Sequence, residues 1–309
     1  DKKQLLINAM QGFSYIMKAY SVEDYRACAT SAMRDAKNGK EITDAILRES
    51  GIDIQIITGK DEADIISEAG GLGDMIDKRD NYLYVDKTAL VWRMANLGKP
   101  YFLSRPRRFG KSLLISTFDA YFQGKKELFD GLAIEQLETK WEQHPVLHLD
   151  LNAKKYETAA DLIAMLNQYL EKWEAIYGNE KKDRSPEERF SYVIEQASLK
   201  TGKGVVVLVD EYDKPLLQAI TRPNLFEDYR QTLKAFYGVL KSADAYLRFV
   251  FLTGVTKFSQ VSVFSDLNQL NDISLDYSYA TLCGITREEL KSTFEPEIEA
   301  FGHKNQQTP

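Results

Sequence analysis

PYFLSRPRRFGKS, residues 100–112, is the most informative stretch of this 309-residue chain. An apolar run typical of a strand leads into an arginine-rich loop, which ends in Gly110, Lys111 and Ser112. These three residues match the end of the phosphate-loop pattern GxxxxGK(S/T), in which amides surround phosphates, the lysine contacts the β and γ groups and the hydroxyl binds magnesium. Because an amphipathic helix is predicted to begin at Lys111, its N-terminus would face the anion.

The loop departs from that pattern at its first position, where Arg105 replaces the glycine. Arg107 and Arg108 add further positive charge, and Pro106 restricts the backbone. We expect the arginines to neutralise triphosphate charge; the alternatives are pairing with acids of the chain or an ordinary surface turn. The predicted nucleotide-binding residues are Arg105, Arg107, Arg108, Phe109, Gly110, Lys111, Ser112 and Leu113.

A second motif, VVVLVDE, occupies residues 205–211 and reads as a buried central strand that ends in acids. We expect Asp210 to bind magnesium together with Ser112, and Glu211 to polarise the attacking water. The alternative is that the two carboxylates only cap a loop.

A third candidate follows the strand LRFVFLT, which ends at Thr253. We predict that Thr253 is a polar sensor between the two motifs, with Thr256 and Lys257 as neighbouring alternatives. Each of them could instead simply terminate the strand. The predicted catalytic residues are Lys111, Glu211 and Thr253.

Helical patterns at about 159–177, 186–199 and 225–242 alternate with apolar runs such as PVLHLDLN, residues 145–152. Strands that alternate with helices of this length predict a parallel sheet with crossover connections.

The first part of the chain reads as helix, strand, helix, strand, at about 4–20, 25–30, 41–50 and 52–59. Regular periodicity stops at EAGGLGD, residues 68–74, which contains three glycines. We therefore predict two domains, residues 1–70 and 71–309.

Bulk composition limits the function classes. A hydrophobic content of 44% and a charged content of 28% are those of a soluble globular protein, and no apolar run is long enough to span a membrane. The net charge of -6 gives no general reason to expect nucleic-acid binding, and the expected location is cytoplasmic. Two distant cysteines predict neither disulfide nor zinc site. We read Cys28 and Cys283 as small core residues. His144, His148 and His303 are poor candidates for metal ligands, and His148 is expected to lie in a strand.

Five stretches resemble the bacterial AAA-ATPase-like proteins that often carry a PD-(D/E)XK nuclease-like domain. They are NYLYVDKTALVWRM (81–94), YFLSRPRRFGKSLLISTFDAYFQGKKELFDGLAI (101–134), PVLHLDLN (145–152), VVLVDEYDKPL (206–216) and FLTGVTKFSQVSVFSDLNQLNDISLDYSYATLCGIT (251–286). The resemblance spans about residues 81–290.

This resemblance implies an α/β fold, the P-loop NTPase three-layer parallel sheet, with ATP and Mg2+ as ligands. It implies nucleotide and metal contacts at Lys111 and Ser112, a metal acid at Asp210 and a catalytic acid at Glu211. The family shares the arginine-rich loop and the signature DEYDKP, in which no role is assigned to Asp213 or Lys214. Since the chain stops at Pro309, we expect a truncated ATPase domain without the nuclease-like domain, which leaves nucleic acid as a partner an open question.

The first 67 residues resemble a fragment of an exopolyphosphatase and guanosine-pentaphosphate phosphatase domain, of the actin-like type. The matching stretches are YRACATSAMRDAKNGKEI (25–42) and GIDIQIITGKDEADII (51–66). The resemblance implies a phosphate-ester site with Glu62 as the water-activating acid. Because the other half of that cleft is missing from the sequence, we read Thr30, Ser31 and Arg34 as structural remnants.

Three hypotheses about function follow. The first is magnesium-dependent ATP hydrolysis, the second is a non-catalytic nucleotide-binding assembly module, and the third is residual polyphosphate phosphatase activity. Arg248 and Arg287 are candidate arginine fingers, and a homo-oligomer or a protein partner is an open expectation.

Overall fold

The structure, a computed structural model, describes residues 2–19, 27–29, 36, 38–56, 84–98, 100–152, 154–256, 263–264, 270–295 and 298. The chain separates into two compact units, Asp1–Ala69 and Gly70–Pro309. No helix in the described ranges combines the length and the hydropathy that a membrane crossing requires. The positions named above that fall outside these ranges are Thr30, Ser31, Arg34, Glu62, Lys257 and His303.

The first unit contains two helices and two strands among its described residues. They are α1 (Lys2–Ala19), β1 (Ala27–Ala29), α2 (Gly39–Ser50) and β2 (Ile54–Ile56). β1 and β2 pair in parallel, and α2 ends at Gly51, whose φ of 73° lies in the left-handed region that favours glycine. Both helices expected from the sequence are confirmed. The unit has a small apolar core of its own, formed by Ile7, Ala45, Ile46 and Ile52.

The second unit is built on a five-stranded, wholly parallel sheet in the order β4-β5-β6-β3-β7. The strands are β3 (Pro100–Ser104), β4 (Val146–Asp150), β5 (Val205–Asp210), β6 (Leu247–Gly254) and β7 (Asn271–Asp272). The helices are α3 (Thr88–Leu97), α4 (Lys111–Phe122), α5 (Ala133–Leu137), α6 (Ala159–Tyr177), α7 (Pro186–Thr201), α8 (Lys214–Ala219), α9 (Pro223–Ser242) and α10 (Arg287–Thr293).

β5 lies inside the sheet and is buried along its whole length, which explains its unbroken apolar sequence. Its successive side chains face opposite sides and enter different cores. Val207 packs in a cluster with side chains of α6, α7 and α9, whereas Leu208 packs in a cluster with side chains of α3 and α4. Both faces of the sheet are therefore covered by helices.

The mixed α/β class and the parallel sheet expected from the sequence are confirmed. The strands PYFLS and PVLHLDLN and the helices at 159–177 and 186–199 are observed close to their predicted bounds. The short elements α5, α8 and β7 were not predicted, because two to six residues carry too little periodicity to reveal them.

The carboxyl ends of the parallel strands meet at one edge of the sheet. In the strand register Leu103 pairs with Thr253, and Asp150 pairs with Asp210. The helix after β3 packs on one face and those after β4 and β5 pack on the other, so the connections diverge at this edge. Open parallel sheets bind ligands in the crevice that such a divergence creates.

Candidate functional site

Lys111 begins α4 and follows Gly110, whose φ of 85° suits a residue without a side chain. Its ammonium Nζ lies 3.0 Å from Oε1 of Glu211, and its side chain is only 3% exposed. The same Nζ donates to the carbonyl oxygens of Arg105 at 3.1 Å and Pro106 at 3.2 Å. A buried ammonium needs such partners because desolvation of an unpaired charge is costly. Lys111 thus joins the loop 105–110 to the acidic end of β5.

Glu211 has a φ of 52°, which is rare for a residue with a side chain. Such a conformation costs on the order of 1–3 kcal/mol and persists where the surroundings enforce it, often at functional sites. Glu211 is 9% exposed and Asp210 is 4% exposed, so both carboxylates lie in a shielded position. With this backbone conformation the Glu211 carboxylate lies against Lys111 instead of pointing into solvent.

Thr253 stands between the two sequence motifs, because β6 lies between β3 and β5. It is fully buried, and its Oγ1 donates to Oδ1 of Asp210 at 2.5 Å. Its neighbour Thr256 points elsewhere and donates to Asp213. Of these two threonines, Thr253 is therefore the one that contacts Asp210, the predicted metal-binding acid.

Arg105 is turned toward the segment that follows β7. Its guanidinium donates to the carbonyl oxygens of Ser274 and Ser104, and its backbone N–H donates to the carbonyl of Gly254 at 3.1 Å. Ser274 also accepts a bond from the N–H of Ser104 at 2.8 Å through its hydroxyl. Arg105 therefore anchors the loop to its surroundings, and its expected contact with a triphosphate stays a prediction.

Arg107 and Arg108 are exposed, and no ion pair or hydrogen bond joins either side chain to another described residue. The φ of Arg108 is 66°, a second left-handed residue within this loop. A turn of this kind at a helix N-terminus directs backbone amides and positive charge toward the same region. Among the described residues no acid pairs with them, so the exposed guanidinium groups of Arg107 and Arg108 could contact an anion.

A cavity of about 240 Å³ opens beside the first turns of α4. Its walls come from the loop before α3, from the loop 105–110 with α4, and from residues 282–285. Lys87, which lies in the wall, forms an ion pair with Glu289 of α10. Cys283 lies in the wall, where burial raises the pKa of its thiol to about 11 and keeps it neutral. The expectation that Cys283 is a small buried residue is confirmed.

Asp150 is a third acid at this edge of the sheet, and it was not predicted from the sequence. It ends β4 opposite Asp210 and accepts a hydrogen bond from the N–H of Asn152 at 2.7 Å. Burial raises the pKa of Asp150, and the nearby charges of Asp210 and Glu211 raise it further. The alternation in PVLHLDLN could have drawn attention to it, because Asp150 is the last residue of that strand.

The candidate arginine fingers do not join this cluster. Arg248 lies near the start of β6, at the opposite end of that strand from Thr253, and donates to the carbonyl of Ala95 at 2.8 Å. Arg248 therefore lies away from Lys111, Glu211 and Asp210 of its own chain, and its role as a finger stays a prediction. Arg287 is exposed at the first position of α10.

The histidines have structural surroundings in the described part of the chain. His144 Nδ1 lies 2.9 Å from the carbonyl oxygen of Gly204, and burial lowers its pKa. His148 lies within β4, as expected, and is 3.5 Å from Asp119.

Ser112 and Asp210 are the residues that could hold a magnesium ion. Ser112 is exposed on the first turn of α4. Asp210 accepts the hydrogen bond of Thr253 through Oδ1, and its other carboxylate oxygen, Oδ2, is a second possible metal ligand. No group of three or more acidic, histidine or cysteine side chains suited to a metal occurs among the described residues. Magnesium fits this donor set, because it is commonly bound by one or two protein oxygens together with substrate phosphates and water.

Comparison with known proteins gives two family matches. Residues 75–264 match the family described as "Predicted AAA-ATPase", and residues 1–86 match the Ppx/GppA phosphatase family. Both resemblances expected from the sequence are confirmed. The chain is also 43% identical over 226 residues to an uncharacterized protein in the vnfD 5′ region of Azotobacter chroococcum mcd 1. The match covers 72% of this chain but only 43% of that relative, so the chain spans less than half of the relative's length.

Proposed function

Because the chain belongs to the predicted AAA-ATPase family, we propose that its larger unit is a P-loop fold that binds magnesium ATP and hydrolyses it. The observation that carries the proposal is the contact between Lys111 and Glu211, 3.0 Å apart. These residues come from two motifs about 100 positions apart in sequence, and both motifs end parallel strands at the same edge of the sheet.

Binding is assigned to the residues around the N-terminus of α4. The backbone amides of the loop 105–110 and the ammonium of Lys111 would hold the phosphates, and the exposed Arg107 and Arg108 would add positive charge. The cavity beside α4 has largely apolar walls, including Leu113 and Leu114, which suits a planar base. Lys111 would exchange its contact with Glu211 for the phosphates, since a carboxylate and a phosphate compete for the same ammonium.

Hydrolysis is assigned to the acids after β5. Once released from Lys111, the Glu211 carboxylate would accept a hydrogen bond from the attacking water and orient it. Thr253 would hold Asp210 in place through its hydroxyl bond and would lie close to the terminal phosphate. Ser112 and Asp210 would hold magnesium, which when bound neutralises charge on the phosphate oxygens.

Two variants separate binding from turnover. Lys111→Ala should weaken ATP binding by about 100-fold or more, because the loss of charge-assisted bonds of about 3 kcal/mol corresponds to two powers of ten. Glu211→Gln should retain binding and lower phosphate release by about 100-fold. Binding is measured with a fluorescent ATP analogue, and turnover is measured as inorganic phosphate with and without magnesium.

The chain offers a matched control pair. Lys203 and Glu142 form an ion pair of 2.8 Å at the other end of β5, and both are partly exposed. Lys203→Ala and Glu142→Gln should leave binding and turnover unchanged. Tight ATP binding by Lys111→Ala would contradict the assignment of the site.

The alternative of a non-catalytic nucleotide-binding module keeps the binding assignment and drops the hydrolysis. It is favoured if wild-type phosphate release does not exceed that of Glu211→Gln. The match of residues 1–86 to the Ppx/GppA family also motivates a separate assay for phosphate release from polyphosphate. Release that survives in Lys111→Ala would assign that activity to the smaller unit.

A further inference from the structure

Asp213 is a buried carboxylate that the proposed chemistry does not use. It is 0% exposed, although it lies only two residues after Glu211. An ionised carboxylate is retained in such a position only when hydrogen-bond donors compensate its desolvation. Among the described residues, the donors to this carboxylate come from the segment that follows β6.

The Asp213 carboxylate accepts bonds from Val255 N–H at 3.2 Å, from Thr256 N–H at 2.8 Å and from the Thr256 hydroxyl at 2.9 Å. Tyr212 makes two further links between the same segments. Its N–H donates to the carbonyl of Thr253 at 2.9 Å, and its hydroxyl donates to the carbonyl of Thr256 at 3.1 Å. The turn after β5 is thus fastened to the end of β6 at several points.

The two segments also approach each other closely. A Cβ atom on Gly254 would lie 2.4 Å from the Tyr212 ring and 2.9 Å from Oδ1 of Asp213. The carbonyl of Gly254 accepts the N–H of Arg105, the first residue of the loop 105–110. A displacement of the Asp213 turn would therefore be transmitted both to β6 and to the loop that begins α4.

We propose that Asp213 is a positioning residue: its buried carboxylate locks the turn after β5 onto the end of β6 and thereby holds Glu211 in its left-handed conformation. Glu211 needs such a constraint, because its φ of 52° is unfavourable in isolation. The donors on its oxygens and its complete burial keep Asp213 itself away from any ligand. The kinetic part of this inference rests on the proposed ATP hydrolysis.

The test compares two buried carboxylates in the full-length chain. Asp213→Asn keeps the shape of the side chain but removes its charge, and Glu174→Gln does the same at a pair remote from the site. Glu174 is 5% exposed and accepts bonds from Arg189 at 2.8 and 2.7 Å, between α6 and α7. Both variants should lose thermal stability, so the comparison separates positioning from general destabilisation.

We expect Asp213→Asn to lower kcat by about 10-fold, because a small misplacement of a reacting group has effects of this size, and to leave the ATP dissociation constant within about 2-fold. Glu174→Gln should keep both values. The inference is overturned if Asp213→Asn keeps kcat, if the two variants lose kcat in proportion to their melting temperatures, or if Asp213→Asn loses ATP affinity as well.

Two further measurements keep the outcome decisive. Should Asp213→Asn fail to fold, Thr256→Val removes only the hydroxyl donor and should lower kcat by about 2-fold or more, and an unchanged kcat would overturn the inference. If the wild-type protein does not hydrolyse ATP, the proposed hydrolysis is contradicted, and the inference about Asp213 is tested by a separate measurement. Amide exchange at Arg105 and Tyr212 then decides: faster exchange in Asp213→Asn alone supports the inference, and equal exchange in both variants overturns it.

Discussion

Single residues in the site are held in conformations and environments that would be unfavourable elsewhere. Glu211 has a left-handed backbone, and Lys111 is a buried ammonium that takes three oxygen partners. Each is tolerated because its neighbours compensate it, the lysine by the glutamate and the glutamate by the turn that Asp213 holds. At these positions the protein gives up folding stability that ordinary residues would contribute, and charged groups are held close together instead.

Asp150 provides a pH-dependent test at this scale. Burial raises its pKa above the ordinary value of 3.8, so ionisation of Asp150 destabilises the folded state at neutral pH. Asp150→Asn should therefore raise the melting temperature at pH 7, because the amide carries no charge to be desolvated. The difference should vanish below the ordinary pKa, where the carboxyl is neutral in both folded and unfolded chains.

Thermal unfolding between pH 3 and pH 8, followed by circular dichroism, measures this difference. Asp183→Asn, at an exposed loop position, serves as the control and should not change the melting temperature. A variant that is less stable than wild type at pH 7 would contradict the expected sign for Asp150.

At the scale of elements, the site depends on how closely the turn after β5 packs against the end of β6. Gly254→Ala should destabilise the protein by about 1–3 kcal/mol, because its Cβ would lie 2.4 Å from the Tyr212 ring. Gly238 is the matched control, since it lies inside α9 and, apart from the adjoining backbone of that helix, an added Cβ would have no atom within 4 Å. Gly238→Ala should stabilise the protein by about 0.5–1 kcal/mol.

Urea unfolding of both glycine variants measures these opposite effects. A neutral Gly254→Ala would show that the Tyr212 ring can move aside, and it would weaken the argument that this contact fixes the turn. The two-residue strand β7 also supports the site at this scale. It positions Ser274, whose hydroxyl accepts a hydrogen bond from the backbone N–H of Ser104 at the end of β3.

At the scale of the whole molecule, the two units have separate apolar cores. Ile46→Ala removes a fully buried side chain from the first unit and should destabilise that unit by about 2–5 kcal/mol. ATP binding should be unchanged, because every residue assigned to it lies in the second unit. Ile115→Ala is the matched control, since Ile115 is fully buried on α4 in the second unit.

Tryptophan fluorescence distinguishes the units, because the chain has three tryptophans, Trp92, Trp141 and Trp173, all in the second unit. Ile46→Ala should alter unfolding seen by circular dichroism and leave the fluorescence midpoint unchanged, whereas Ile115→Ala should lower that midpoint. A fluorescence shift in Ile46→Ala would show that the two units unfold as one.

The sequence alone determined the class of the fold and the residue types of the candidate site. Long segments with clear periodicity, such as β5 and α6, are set by local burial patterns, so their type could be predicted. The strand before Gly110 and the helix that begins at Lys111 could be predicted for the same reason. The acids after β5 were identified because they interrupt an apolar run.

Only the tertiary structure decided which of these groups meet and which do not. The pairing of Lys111 with Glu211, the bond from Thr253 to Asp210 and the direction of Arg105 toward Ser274 all join positions far apart in the chain. Such contacts depend on strand order and register, which local propensity does not encode. Arg248 illustrates the limit. Its strand was predicted from the sequence, but only the structure shows that Arg248 lies at the opposite end of that strand from Thr253. The partners of Asp213 are likewise set by the tertiary structure, because Val255 and Thr256 follow the end of β6 and lie 42 and 43 positions further along the chain.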